Sequence, residues 1–181
     1  MSKIYDLVII GGGPAGLSAG IYAGRAKMNT LIIEKGELGG QVNKTFDISN
    51  YPGSRNTNGP KLMSEMRAQA EDFKVKFMNG EVLEVSLDED IKEIKTDKGL
   101  VKGRSVIIAT GAAPRQLGFK GEEEFTGRGV AYCATCDGQF FEGLEVFVIG
   151  AGFAAAEEAI FLTRFASKVT VIAREDRKST R

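Results

Sequence analysis

The sequence predicts an α/β protein: one three-layer domain, followed by the beginning of a second domain of the same kind. Three observations predict this. An apolar run, Asp6–Ile10 (DLVII), leads straight into the glycine turn GGGPAG at Gly11–Gly16. Small and apolar residues at helical spacing follow, and then a second apolar run, Thr30–Ile33 (TLII). The same order returns at Val146–Ile149 (VFVI), the turn GAGFAA, and Val169–Ile172 (VTVI). Short apolar runs bounded by glycines mark strands buried on both faces, as in a parallel sheet.

Bulk composition narrows the class. With 181 residues, 43% hydrophobic and 27% charged, the chain is long enough for one core and part of another. Basic and acidic residues balance at 24 each, so no strong field points to nucleic acid or a membrane as partner. No apolar run approaches the ~18 residues of a membrane span. The N-terminal MSKIYDLVIIGGG reads as a strand entering a turn, not a secretory leader, which places the protein in the cytoplasm. There is no histidine, which excludes any His triad, His-ligated metal or His general base within these residues. Only two cysteines are present, too few for a four-thiolate zinc site, and no metal is expected.

The elements follow in order. Asp6–Ile10, the GGGPAG turn, a helix through LSAGIYAGRAKM and Thr30–Ile33 make a βαβ unit of about 30 residues, ending at Glu34. From Gly36 to Gly59 the chain is rich in Gly, Asn, Ser and Pro and reads as a long functional loop. Pro60–Phe73 reads as a helix with Leu62, Met66 and Ala70 on one face. From Lys74 to Val106 the period shifts towards two, giving strands of a small antiparallel layer. Ser105–Ala109 (SVIIA) reads as a buried strand, closed by Thr110 and Gly111. Ala113–Gly129 is a crossover rich in Gly, Pro and charge. The first domain therefore spans 1–114 and the second segment 115–181. The sequence stops at Arg181, soon after Ile172, so the second unit is expected to be incomplete.

A GxGxxG pattern alone is a weak signal, but here a strand precedes it, a helix follows, and an acid closes the next strand. Gly11 allows the tight turn, Gly13 removes the Cβ that would meet a pyrophosphate, and Gly16 lets helix and strand approach. The helix start offers free N–H groups to phosphates. Glu34, about 20 residues on, suits a ribose diol. This motif does not choose between FAD and NAD.

The chemistry sits in CATCD. Cys133 and Cys136 have the spacing of a small disulfide at a helix start. Such a ring restricts little unfolded chain and adds little stability. A redox pair is the favoured reading over inert thiols or a metal site. With no histidine, the adjacent Asp137 is the candidate acid/base for a departing thiolate; it is also a candidate turn or cap carboxylate.

Taken together, GGGPAGLSAGIYAGRA, GGQV, SNYPG, IIATGAAPR and AYCATCDG run in the order found in the low-molecular-weight thioredoxin reductases. The sequence resembles that family over nearly its whole length. The resemblance implies a Rossmann-like domain binding FAD. It places Gly11, Gly13, Pro14, Ala15, Gly16, Glu34, Lys35, Gly40, Gln41 and Asn50 around the cofactor. Val82 lies near the adenine, and Ala109, Thr110 and Gly111 close over the site. Cys136 is then the thiol nearest the flavin, Cys133 attacks the substrate disulfide, and Asp137 is the acid/base. The implied partner is thioredoxin or a thioredoxin-like protein, and the full-length enzyme is a homodimer. In the family a second, NADPH-binding domain is inserted into the FAD domain, and a domain rotation shows the thiol pair to flavin and substrate in turn. The hinge then falls near Ala113–Gly118.

The second nucleotide turn departs from the family pattern. GAGFAA stands where GGGDSA is usual, so Phe153 and Ala154 replace a polar pair. Ala173, Arg174 and Glu175 stand where HRR is usual. One arginine remains where a 2′-phosphate favours two. Gly150, Gly152 and Ala155 keep the backbone pattern of a dinucleotide turn. Three readings follow: NADPH held through Arg174, NADH with Glu175 on its ribose, or a vestigial site filled by Phe153 with electrons arriving from ferredoxin. The last matches a resemblance to the clostridial ferredoxin-dependent flavin thioredoxin reductases. A rival of another class is a non-catalytic flavin- or nucleotide-binding module using the cysteines as a redox sensor.

Overall fold

A computed structural model describes residues 3–173. They fall into two compact units, Met1–Ala113 and Pro114–Arg181.

In the first unit, β1 (Ile4–Ile10), α1 (Pro14–Arg25) and β2 (Thr30–Glu34) form the expected βαβ unit. α2 (Gly59–Asp72) then leads to β3 (Lys76–Asn79), and β4 (Val82–Ser86), β5 (Lys92–Thr96) and β6 (Gly99–Ile108) complete a single six-stranded sheet. Its order is β3-β2-β1-β6-β5-β4. β1 pairs in parallel with β2 and β6, and β2 with β3, whereas β4–β5 and β5–β6 are antiparallel.

The two faces of β1 and β2 build two cores, because successive side chains point to opposite sides. Leu7, Ile9 and Ile32 meet α1 and α2 through Leu17, Ile21, Leu62, Met66 and Ala70. Val8, Ile10, Leu31 and Ile33 meet Ile94 of β5, with Val82 and Val101 beside it. The result is three layers: helices, parallel sheet and antiparallel strands. Gly103 joins the latter two. It pairs with Tyr5 on one side and Lys92 on the other, and a Cβ there would lie 2.8 Å from Val8 Cγ2.

Two expectations are corrected here. The run VKFMNGEVLEVSL is not uniformly antiparallel: Lys76–Asn79 pairs in parallel with β2 and only Val82 onward joins the antiparallel layer. Its alternation carries no information on strand direction, which long-range pairing sets. The SVIIA run is a strand end, but Ile107 and Ile108, which point to opposite faces of the sheet, are exposed rather than buried, because a strand end reaches past the elements that pack on either face.

Asn58 caps α2, its Oδ1 accepting from Lys61 N at 2.9 Å, and Pro60 occupies the first turn, where its missing N–H costs nothing. The loop before it contains a 3₁₀ turn over Gly40–Lys44 and a bridge between Ile48 and Thr57.

In the second unit, a tight turn over residues 119–130 precedes the short helix α3 (Ala134–Asp137). β7 (Glu145–Ile149), α4 (Phe153–Leu162) and β8 (Lys168–Ile172) follow, with β7 and β8 parallel. α3 packs against α4. Among the described residues no helix is long and apolar enough to cross a membrane.

Candidate functional site

The glycine turn joins β1 to α1, and two of its glycines are demanded by close packing. Gly11 has φ +110°, and a Cβ there would lie 2.2 Å from the Ala109 carbonyl oxygen. A Cβ on Gly16 would lie 1.9 Å from the Gly11 oxygen. At Gly13 a Cβ would meet nothing within 4 Å, so that glycine faces open space. No side chain caps α1, whose first turn holds Pro14 and Ala15. Its first N–H groups and the positive end of its dipole face the same turn.

Glu34 ends β2 and turns its carboxylate back to this turn. Oε2 accepts from Gly12 N at 2.8 Å and Oε1 from Gly36 N at 2.9 Å. Each oxygen keeps a second lone pair for a hydroxyl donor. The long loop returns to the same place. Gly39 N donates to Gly12 O at 2.8 Å, and the Cβ direction of Gly40 faces Gly13 Cα at 3.7 Å. Gln41 follows on the exposed side of the 3₁₀ turn.

A cleft of about 400 Å³ opens beside Glu34, and Gly11, Lys35, Val82 and Thr110 also line it. Lys35 Nζ pairs with Glu81 at 3.6 Å across exposed surface. Gly111, at φ +67°, follows Thr110 into the crossover. A second cleft of about 390 Å³ shares Glu34 and is lined by Leu38, Arg67 and Asn79, none of which the sequence had marked. Asn50 is exposed in the long loop and lines neither cleft.

In the second unit, Cys133 and Cys136 are joined as a disulfide with Cα atoms 5.3 Å apart. Cys133 is the N-cap of α3, and its carbonyl accepts from Cys136 N at 3.2 Å and Asp137 N at 3.0 Å. Thr135 Oγ1 lies 3.4 Å from Cys133 Sγ. Gly138 seats the segment on α4, beside Phe161, Leu162 and Phe165. Asp137 is half-buried, and that burial pushes its carboxyl above the usual carboxylate range. It is held closer to the protonated form, as a proton donor to a thiolate requires.

The second glycine turn keeps its backbone shape: Gly150 has φ +146° and Gly152 is the uncapped N-cap of α4. Phe153 does not fill this turn; it is 92% exposed. The side chain facing the turn is Ala155, whose Cβ would lie 3.2 Å from a Cβ on Gly150. At about 100° per residue, Phe153 lies round the helix on another face. Ala154 is exposed beside it. Arg174 and Glu175 lie outside the described residues.

Sequence reasoning missed Glu122 and Tyr132. Glu122 is 4% exposed, and Tyr132 Oη donates to its Oε1 at 2.8 Å, one residue before Cys133. Three adjacent glutamates read as a solvated run, so nothing in the local pattern singled out the first.

Residues 5–180 match the family described as pyridine nucleotide-disulphide oxidoreductase. A thioredoxin reductase of Peptoclostridium acidaminophilum is 52% identical over 97% of this chain and 56% of its own. The thioredoxin reductase structure from Streptococcus pyogenes superposes with a TM-score of 0.93 at 48% identity, covering 97% of this chain and 57% of that one. A ferredoxin-flavin thioredoxin reductase from Clostridium acetobutylicum matches at 29% identity with a TM-score of 0.57, covering 99% and 63%. The chain thus spans little more than half the length of the curated relatives it matches. With its paired glycine turns and an intervening Cys133–Cys136 disulfide, the chain belongs to the pyridine nucleotide-disulphide oxidoreductase family.

Proposed function

We propose that the full-length protein is an FAD-dependent protein-disulfide reductase that passes electrons through Cys133 and Cys136 to thioredoxin or a thioredoxin-like protein. The observation that carries this reading is the formed Cys133–Cys136 disulfide with the half-buried Asp137 beside it. The naming of its relatives supports it.

The first unit fits FAD. Gly13 leaves space for a pyrophosphate, the uncapped start of α1 supplies N–H groups, and Glu34 keeps acceptor capacity for a ribose. Gly11, Pro14, Ala15, Gly16, Lys35, Gly40, Gln41, Val82, Ala109, Thr110 and Gly111 would hold the cofactor, with Asn50 reaching it from the long loop. FAD, when bound, supplies the electron pair that opens the disulfide to a dithiol.

The chain's own residues then act in sequence. Opening the disulfide takes two electrons and two protons: with Cys136 nearest the flavin, Cys133 is the departing sulfur and takes a proton from Asp137, while the Cys136 sulfur takes the second from solvent. Cys133 returns its proton to Asp137 and, as thiolate, attacks the partner's disulfide; a mixed disulfide forms, and the departing partner thiolate takes that proton. Cys136 gives up its proton and, as thiolate, attacks Cys133 Sγ; the intramolecular disulfide is restored and the partner's second sulfur leaves and takes up a proton, so the partner ends as a dithiol. The redox role of this pair supports a cytoplasmic location, where a supply of reductant keeps such pairs cycling. The homodimer is carried by the family resemblance, and light scattering on the full-length protein tests it.

The donor is NADPH or ferredoxin. The intact backbone of the Gly150–Ala155 turn supports the first, and the loss of the polar pair at Phe153 and Ala154 supports the second. Anaerobic mixing of the full-length FAD enzyme with NADPH, NADH or reduced ferredoxin separates them. Rapid flavin bleaching by micromolar NADPH removes ferredoxin as the donor. The central claim is tested by Cys136→Ser in the full-length enzyme. Thioredoxin-disulfide turnover should vanish, and retained turnover would overturn the proposal. A disulfide that forms but turns over no protein substrate in the unaltered enzyme would favour the redox-sensor module.

A further inference from the structure

Among the described residues, Glu122 is the one charged side chain in the buried set. Its carboxylate ties together two separate stretches of chain. Leu117 N donates to both oxygens at 3.0 Å, and Gly118 N donates to Oε2 at 2.5 Å. Tyr132 Oη donates to Oε1 at 2.8 Å. No Lys or Arg among the described residues pairs with it. The backbone N–H of Leu117, then that of Gly118, and the Tyr132 hydroxyl hold the carboxyl below its usual range despite burial. The phenol responds in the opposite sense: burial, then the neighbouring carboxylate, raises Tyr132.

The location of these partners gives the cluster its meaning. Leu117 and Gly118 belong to the segment entering the second unit, which begins at Pro114. Tyr132 precedes Cys133, whose carbonyl starts α3. Between them the chain is closed on itself: Thr126 Oγ1 donates to Glu122 O at 2.7 Å, and Val130 N to Phe125 O at 2.9 Å. A buried carboxylate with three donors and no cation is costly to disturb, because each lost partner leaves desolvated charge.

We infer that Glu122 is a positioning residue for the redox pair, clamping the entry segment at Leu117–Gly118 to Tyr132 so that Cys133 is held in one orientation for attack. The inference rests on the disulfide-reductase reading above. Glu122 touches neither sulfur. It acts through Tyr132 on the backbone that carries Cys133, so it should govern the rate of exchange and not the chemistry of the thiols.

The test uses full-length, FAD-loaded enzyme, photoreduced so that no donor is needed. It is mixed anaerobically with increasing disulfide-form bacterial thioredoxin, and flavin reoxidation is followed. Glu122→Ala and Tyr132→Phe should each lower the limiting rate on the order of tenfold, the scale of a lost hydrogen bond to a charged group. The half-saturating thioredoxin concentration should stay within about twofold. Glu122→Gln, which keeps one acceptor oxygen, should be intermediate. Equilibration of Cys133–Cys136 with dithiothreitol should match the unaltered enzyme, since neither sulfur loses a contact. Tyr132→Phe removes a single hydroxyl and keeps the test informative if Glu122→Ala fails to fold. Limiting rates within about twofold of the unaltered enzyme in both Tyr132→Phe and Glu122→Gln overturn the inference alone. No reoxidation in the unaltered enzyme overturns the reductase reading and this inference with it.

Discussion

Asp137 adjoins Cys136 and is the acid placed beside the disulfide. Burial raises its carboxyl above the usual range, so it stays protonated further up the pH scale than an exposed aspartate. A group shifted upward on folding contributes stability below its unfolded pKa and loses it as pH rises through its folded value. The rate should follow the same sense. Protein-disulfide turnover in the full-length enzyme should fall on the alkaline side of the raised Asp137 titration. Asp137→Asn should lower turnover on the order of 10²-fold and erase that limb, the usual weight of a lost general acid. A pH–rate profile of both proteins, at matched FAD content, checks this; an unchanged alkaline limb in the variant would assign it to another group. Glu122 is shifted the other way, held charged by N–H donors, and so belongs to positioning instead of proton transfer. The sequence marked Asp137 because it adjoins a cysteine. It could not mark Glu122, because what distinguishes that residue from Glu123 and Glu124 is a set of donors at positions 117, 118 and 132 that only folding brings together.

The glycine turn joins β1 to α1 and holds glycines with two different duties, packing and open approach. Gly16→Ala would drive a methyl group into the Gly11 carbonyl, at 1.9 Å, so α1 must move off β1. Thermal unfolding of the full-length protein should show a loss of about 2 kcal/mol, as for other forced overpacking. Gly13→Ala meets no protein atom within 4 Å, so the unfolding midpoint of the apoprotein should hold. FAD affinity, measured by flavin fluorescence titration, should nevertheless weaken by about tenfold or more, if a pyrophosphate approaches that backbone. Equal thermal loss in both variants would remove the distinction between packing and binding glycines. These elements were legible because strand, turn and helix are contiguous and each carries its own period. Strand β3 was not, since its alternation is the same whether it pairs in parallel with Leu31–Glu34 or antiparallel elsewhere. Exposure of Ile107 and Ile108 was equally hidden, because an apolar run does not say which elements cover it.

At the scale of the whole molecule, the two units leave apolar side chains on their surfaces. Ile107, Ile108, Phe147, Ile149, Val171 and Ile172 are all exposed. A polypeptide of these 181 residues should bind a hydrophobic dye strongly and self-associate at micromolar concentration; dye fluorescence and sedimentation check this. The 24 basic and 24 acidic residues balance, so these residues carry no net charge to set up a general field. α3 rests on α4 through Gly138 against Phe161, Leu162 and Phe165, while the Gly150–Ala155 turn occupies the opposite end of the same ten-residue helix. A helix of that length separates its ends by about 15 Å. The turn can therefore be rewritten, by natural drift or by an engineer grafting a different electron source, without unseating the disulfide. On the proposed reading, a lineage built on this helix is free to change its fuel while keeping its output.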